Sequence, residues 1–243
     1  MGALYIKEIR SFLNSLIGYL VMGVFLLLTG LFMWVFPGDF NVLDMGYANI
    51  DSLFIIAPWV FMFLIPAISM RMFSDEIKTG TIELLLTRPL SESRIVLAKY
   101  LSALSLVGIA LLPTLVYYIS VISLEDAKSN VDSGAVWGSY LGLVFLSASY
   151  TSIGIFASSV SSNQIVSFLL AAFLCFFFFI GFDSIGSFKM FGKLDAFIIS
   201  LGMNDHYRAM SRGLIDTRDV AYFAFISGAF LLFTKTIIQS RKW

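Results

Sequence analysis

Six apolar stretches, each close to twenty residues long, dominate what this chain can fold into. They lie near Leu16–Phe36, Leu53–Met70, Tyr100–Ile122, Trp137–Ser158, Gln164–Phe182 and Val220–Lys235. The interiors of the first five contain no Asp, Glu, Lys, Arg or His. A helix of roughly 20 residues crosses a hydrocarbon core of about 30 Å, so each stretch has the reach of a membrane span. The predicted fold class is all-α: a polytopic membrane protein with six transmembrane helices, forming a single transmembrane domain over residues 1–243. Composition agrees, since 13% of the residues are charged against about 25% in an ordinary soluble domain. The first stretch is too long for a signal-peptide core and no A-x-A-like site follows Phe36, so it reads as an uncleaved span. A single Cys175 inside the fifth stretch excludes a disulfide framework.

Net charge is zero, but the charges are unevenly placed. With six spans and the amino terminus inside, Lys7, Arg10, Arg71, Lys78, Arg88, Arg94, Lys99, Lys235, Arg241 and Lys242 fall on the cytoplasmic side. These ten face only five acidic residues there, Glu8, Asp75, Glu76, Glu83 and Glu92, whereas the other side holds six basic and eleven acidic residues. Lysine and arginine bias orients spans, which places both termini in the cytoplasm. One loop runs against the rule: residues 183–219 carry five basic residues, yet parity puts them outside. That loop is too long for a simple connector, and its apolar Leu194–Leu201, with break points at Gly181, Gly186 and Gly192, reads as short helices folding back toward the bilayer.

Three segments depart from plain spans. Residues 3–15 alternate Leu4, Ile6, Ile9 and Leu13 with Lys7, Glu8 and Arg10, the pattern of a short helix lying in the interface. Pro58, Pro66 and Pro113 fall within the second and third spans. Proline removes a backbone hydrogen bond, and these positions fit either bends along a transport path or the ordinary prolines of membrane helices. Residues 71–99 form a charged amphipathic hinge between two spans. Within it Gly80 breaks the chain, Thr81 is placed to cap a short helix over TIELLLT, and Pro89 ends it. Ser91 is placed to cap the helix that follows. Glu83 and Arg88 are expected to be exposed and Leu84–Leu86 buried, making a rigid knob rather than a solvated loop. In the fourth span Ser147, Thr151, Gly154 and Ser158 share one face, small enough for close helix packing.

Several chemistries are missing. No G-x-x-x-x-G-K-[ST] phosphate loop occurs, and no G-x-S-x-G nucleophile elbow. The one His206 has Asp205 beside it but no second histidine or neighbouring cysteine, where zinc needs three or four ligands. No carboxylate or histidine lies in the core of any span, which weighs against an intramembrane protease or proton-coupled carrier. No catalytic, cofactor-binding or metal-ligating residue is assigned, and nothing in the chain suggests a nucleic-acid partner.

An amino-terminal interfacial helix, six spans, a long loop before the sixth and the pattern E-x-x-x-G-T-x-E-x-L-L-x-x-P after the second resemble type-2 ABC exporter permeases. That pattern is carried by Glu76, Gly80, Thr81, Glu83, Leu85, Leu86 and Pro89. More narrowly, MGALYIKEIRSFLNSLIGYL and LLLTRPLSESRIVLAKYL are similar to the permease of the gliding-motility-associated ABC transporter of Bacteroidetes. The resemblance implies a bacterial inner-membrane permease with no cofactor of its own, ATP and Mg²⁺ residing on a separate ATP-binding cassette subunit. It implies a second permease chain, identical or not, and an accessory membrane protein with an extracytoplasmic domain. The ATPase-coupling set would be Glu76, Gly80, Thr81, Glu83, Leu85, Leu86, Arg88 and Pro89, and the second and fifth spans would line the path between two permeases. A non-transporting membrane scaffold for a motility or secretion machine is the rival reading.

Overall fold

The computed structural model describes residues 1–45, 49–87, 91–124, 132–188 and 192–241. It is an all-α bundle with no strand among the described residues, and six of its helices are long and apolar enough to cross a membrane. Helix α1 (Gly2–Leu13) precedes the first of these, α2 (Leu16–Trp34). Ser15 makes the corner: its hydroxyl donates to the Phe12 carbonyl and accepts from the Gly18 N–H, satisfying one of the free amides that open a helix. A side chain at Gly18 would collide with the Phe12 carbonyl, so this tight corner requires glycine. The amino-terminal segment is thus a helix of its own, ending slightly before the predicted boundary at residue 15.

The second span, α3 (Asp51–Ser69), continues almost without interruption into α4 (Arg71–Lys78). Both Pro58 and Pro66 are buried within α3, which remains a single helix through them. After Gly80 comes α5 (Thr81–Leu86), and the third span is α6 (Glu92–Leu111). Pro113 lies in a 3₁₀ turn, Leu112–Thr114, that joins α6 to α7 (Leu115–Ser123). The fourth span, α8 (Ser133–Val160), starts where Asp132 accepts from the Gly134 and Ala135 amides. In α9 (Gln164–Phe176) Asn163 plays the same part.

The fifth span does not end where α9 does. It passes through a π-helical turn, Phe177–Gly181, into α10 (Phe182–Ser187). A π-turn inserts an extra residue per turn and occurs often at functional sites. The loop that follows folds into α11 (Asp195–Ile199) and α12 (Met203–Ser211) before the last span, α13 (Thr217–Ser240). Gly181 and Gly186 do not break the chain as expected. Each sits in a helical turn, and Gly186 lets α10 approach Ile199 of α11 closely, whereas Gly192 adopts a positive φ. His206 faces Asp219 rather than its neighbour Asp205: Nδ1 lies 2.6 Å from Asp219 Oδ1 and Nε2 2.9 Å from the Ser200 carbonyl oxygen. This ring ties α12 to the start of α13. Asp216 caps α13, and the Arg218 amide donating to it holds its carboxyl below the usual carboxylate range.

The core lies where the second and fourth spans pack, the most apolar parts of residues 51–78 and 133–160 being 67% and 72% buried, against 28%, 22% and 33% for the first, fifth and sixth spans. Gly154 of α8 meets Ser69 of α3 so closely that any side chain there would collide. Ser147, Thr151, Gly154 and Ser158 are all buried along this seam, which is the close packing expected of small residues.

Candidate functional site

At the end of the bundle that carries both α1 and the end of α13, α4 is held from four sides. Where α3 gives way to α4 the helix is interrupted, and the Phe73 and Ser74 amides both donate to Ser158 Oγ of α8, at 2.9 and 3.1 Å. That hydroxyl in turn donates to the Met70 carbonyl at 2.9 Å. Buried backbone amides without partners would be costly, so a serine at this depth makes the junction tenable. Farther along α4, Asp75 lies 3.3 Å from Arg71 Nε and accepts from Gln164 Nε2 at the start of α9.

The remaining two sides meet α4 in a buried ion cluster. Lys99 of α6 is 0% exposed, and its ammonium lies 3.0 Å from both Glu8 Oε1 of α1 and Glu76 Oε1 of α4. It donates to Glu8 Oε1 and to the Met72 carbonyl, and the Phe73 ring sits 5.0 Å away. Two hydrogen bonds and a second carboxylate at ion-pair distance thus surround an ammonium that has three protons to place. Lys7 adds a second positive charge 3.4 Å from the same two carboxylates, so two cations balance two anions. Burial works against the Lys7 ammonium, but Glu8 and then Glu76 outweigh it and hold its pKa above the ordinary lysine value. Nearby, Tyr5 Oη of α1 lies 2.8 Å from Ser105 Oγ of α6. The amino-terminal helix is therefore docked along α6 and clamped to the hinge.

Beyond this brace the chain turns sharply. Gly80 adopts φ +70°, and α5 starts at Thr81. Thr81 is the first helical residue and its side chain makes no cap; the hydroxyl lies 2.9 Å from Thr79 Oγ1 instead. The left-handed glycine displaces the capping position by one residue. Ser91 does stand at the N-cap of α6, but through its backbone carbonyl, which accepts from the Arg94 and Ile95 amides. In α5 Glu83 is exposed and Leu85 half-buried. Leu84, expected to be buried, is 68% exposed, and Ile82, at 7%, fills the inward position. Helical spacing explains the correction, because 82 and 85 share a face and 84 points away from it. Arg88 and Pro89 lie outside the described residues.

The sequence-based set thus gathers at one place, Glu76 inside the ion cluster and Gly80, Thr81, Glu83 and Leu85 on the arm it supports, with the Leu86 backbone closing α5. Pro58 lies at the opposite end of the bundle, in the wall of a cavity of about 830 Å³ between α3, α10 and α12, whose lining does not include Pro66 or Pro113. Glu8, Lys99, Ser158 and Gln164 were missed. Each comes from a different part of the chain, and local patterning offers no signal that they converge on α4.

A search of curated proteins found no match to the chain. A family model described as ABC-2 family transporter protein matches residues 3–234. It takes in all six spans, the braced hinge and the amino-terminal helix together, and the chain belongs to the ABC-2 transporter family, as a membrane permease of an ABC transporter.

Proposed function

We propose that this permease couples ATP hydrolysis on a separate ATP-binding cassette subunit to movement of a substrate across a bacterial inner membrane. The observation that carries the reading is the hinge: a short arm, α5, presents exposed Glu83 and Leu84, while the helix behind it is fixed to α1, α6, α8 and α9. An exposed leucine at the tip of a braced arm suits insertion into a partner's cleft, and a rigid mount passes force to the spans rather than absorbing it. The hinge end is cytoplasmic in this reading, both termini lie with it, and α3 and α9 face a second permease chain across the path. Closure of the ATPase would bias a bundle with two arrangements.

The cavity walled by α3, α10 and α12 supports transport over a purely anchoring role. The finer assignment, to a gliding-motility transporter with an accessory membrane protein, rests on the resemblance of residues 1–20 and 84–101. A deletion strain that still spread on surfaces would remove the motility link. For the coupling role, Leu84→Asp and Glu83→Arg should insert normally but lose ATPase binding or leave ATP hydrolysis insensitive to substrate in the reconstituted complex. Full coupling in both variants would move the contact away from α5.

A further inference from the structure

The exposed residues of α3 are few and regularly spaced: Asp51, Ile55, Trp59 and Phe63 step along one face by four. This stripe is the floor of two adjoining cavities. The one of about 830 Å³, at the end of the bundle opposite the hinge, is walled by the π-turn, α10 and α12. The other, of about 620 Å³, lies farther along α3, between it, α2 and Phe168 of α9. Ile55 and Trp59 border both, so the two form one groove divided at Trp59. Each volume lies within the range of about 300–1,000 Å³ usual for ligand sites.

The two chambers differ in chemistry. The second is lined wholly by apolar side chains, among them Leu20, Leu28, Phe63 and Phe168. The first carries charges of both signs: Arg208 of α12 and Arg212 at its C-cap, four residues on, and Asp51, Asp183 and Asp205. Among the described residues neither guanidinium has an ion-pair partner; Arg212 Nε donates only to the Arg208 carbonyl, at 3.2 Å. Asp183 accepts from Asn204 through Oδ2, and its Oδ1 has no hydrogen-bond partner. Charges that could have neutralised one another are held apart around a common space.

We infer that this groove binds a zwitterionic phospholipid-type amphiphile, its phosphate on Arg208 and Arg212, its ammonium toward the carboxylates, and its acyl chains in the apolar chamber past Trp59. A guanidinium pair matches phosphate oxygens in forked geometry. A wholly apolar ligand would leave these charges without partners, and a wholly polar one would leave the second chamber unfilled. The inference rests on the reading of the α3 face as a substrate path and names the class of substrate that takes it.

The test uses the purified full chain in detergent, without any ATPase. It is titrated with phosphatidylethanolamine brominated on its acyl chains, and Trp59 emission is isolated by difference from Trp59→Phe. Saturable quenching is expected, at least tenfold weaker for brominated phosphatidylglycerol, which lacks the amine, and for brominated diacylglycerol, which lacks the head group. Arg208→Gln combined with Arg212→Gln should weaken phosphatidylethanolamine binding at least tenfold, while Arg218→Gln, outside the groove, should not change it. Equal, non-saturating quenching by all three lipids would mean surrounding lipid only and would overturn the inference. Protection of Trp59 from every lipid in a chain that migrates as a dimer would give the groove to a second copy and overturn it too. Should the double variant fail to fold, the three-lipid comparison on the unmodified chain still decides. Because no ATP is involved, loss of lipid selectivity would leave the permease reading standing.

Discussion

Lys99 is the residue on which the hinge most depends. A fully buried ammonium is tolerable because it donates to Glu8 and the Met72 carbonyl and is ion-paired with Glu76 as well, and those partners lie on α1 and α4. Removing one member of a buried ion pair costs about 3–5 kcal/mol, since the other charge is left unpaired. Lys99→Met leaves Glu8 and Glu76 with only the exposed Lys7, so it should lower stability by about 3 kcal/mol, the low end of that range, read as a fall in Tm of the detergent-purified chain, and should free α1 to proteolysis. Glu8→Gln should cost less, because Lys99 keeps its ion pair with Glu76 and its bond to the Met72 carbonyl. Equal losses in the two variants would contradict the central place given to the ammonium. The Lys7 contribution has a different signature. Its raised pKa means that its part of the cluster is fully present below the ordinary lysine value and is lost only as pH rises through the folded value.

Among the elements, α5 shows how little is needed to aim a short arm away from the bundle. Six residues follow a left-handed Gly80, and no neighbouring atom lies within 4 Å of where a Cβ would sit. Substitution at Gly80 is therefore a backbone effect alone. Left-handed geometry costs an ordinary residue roughly 1–2 kcal/mol, and asparagine adopts it more readily. Gly80→Ala should leave insertion and the bulk of stability intact while reducing substrate-stimulated ATP hydrolysis, and Gly80→Asn should restore much of that loss. If the two variants behaved alike, the direction of α5 would not matter to coupling. Leu84 belongs to the same account. The three-leucine run predicted a buried face, yet the helix turns Ile82 and Leu85 toward the protein and leaves Leu84 outside.

For the molecule as a whole, two ends with different chemistry define a direction. The hinge end concentrates the ion cluster and α5, and the far end holds α10–α12 with their charged cavity. Cys175 is buried, so the native chain offers a quiet background for thiol labelling. Leu84→Cys should react with an impermeant maleimide in inverted inner-membrane vesicles and not in intact cells. Labelling in intact cells would reverse the orientation and with it the coupling role of the hinge.

The all-α class and the number of spans were legible from the residues alone, because apolar length is a local property and lipid enforces it span by span. The turn of the hinge was legible too, since charge and Gly80 punctuate the chain locally. The brace behind it was not. Glu8, Glu76 and Lys99 are separated by tens of residues; Glu76 stood out only through the family resemblance, and Glu8 and Lys99 read as surface charges until folding gathers the three. The face of α5, the pairing of His206 with Asp219 and the two-chambered groove along α3 belong to the same class. All depend on which helices become neighbours, and that is set by packing across the bundle, which no window of sequence contains.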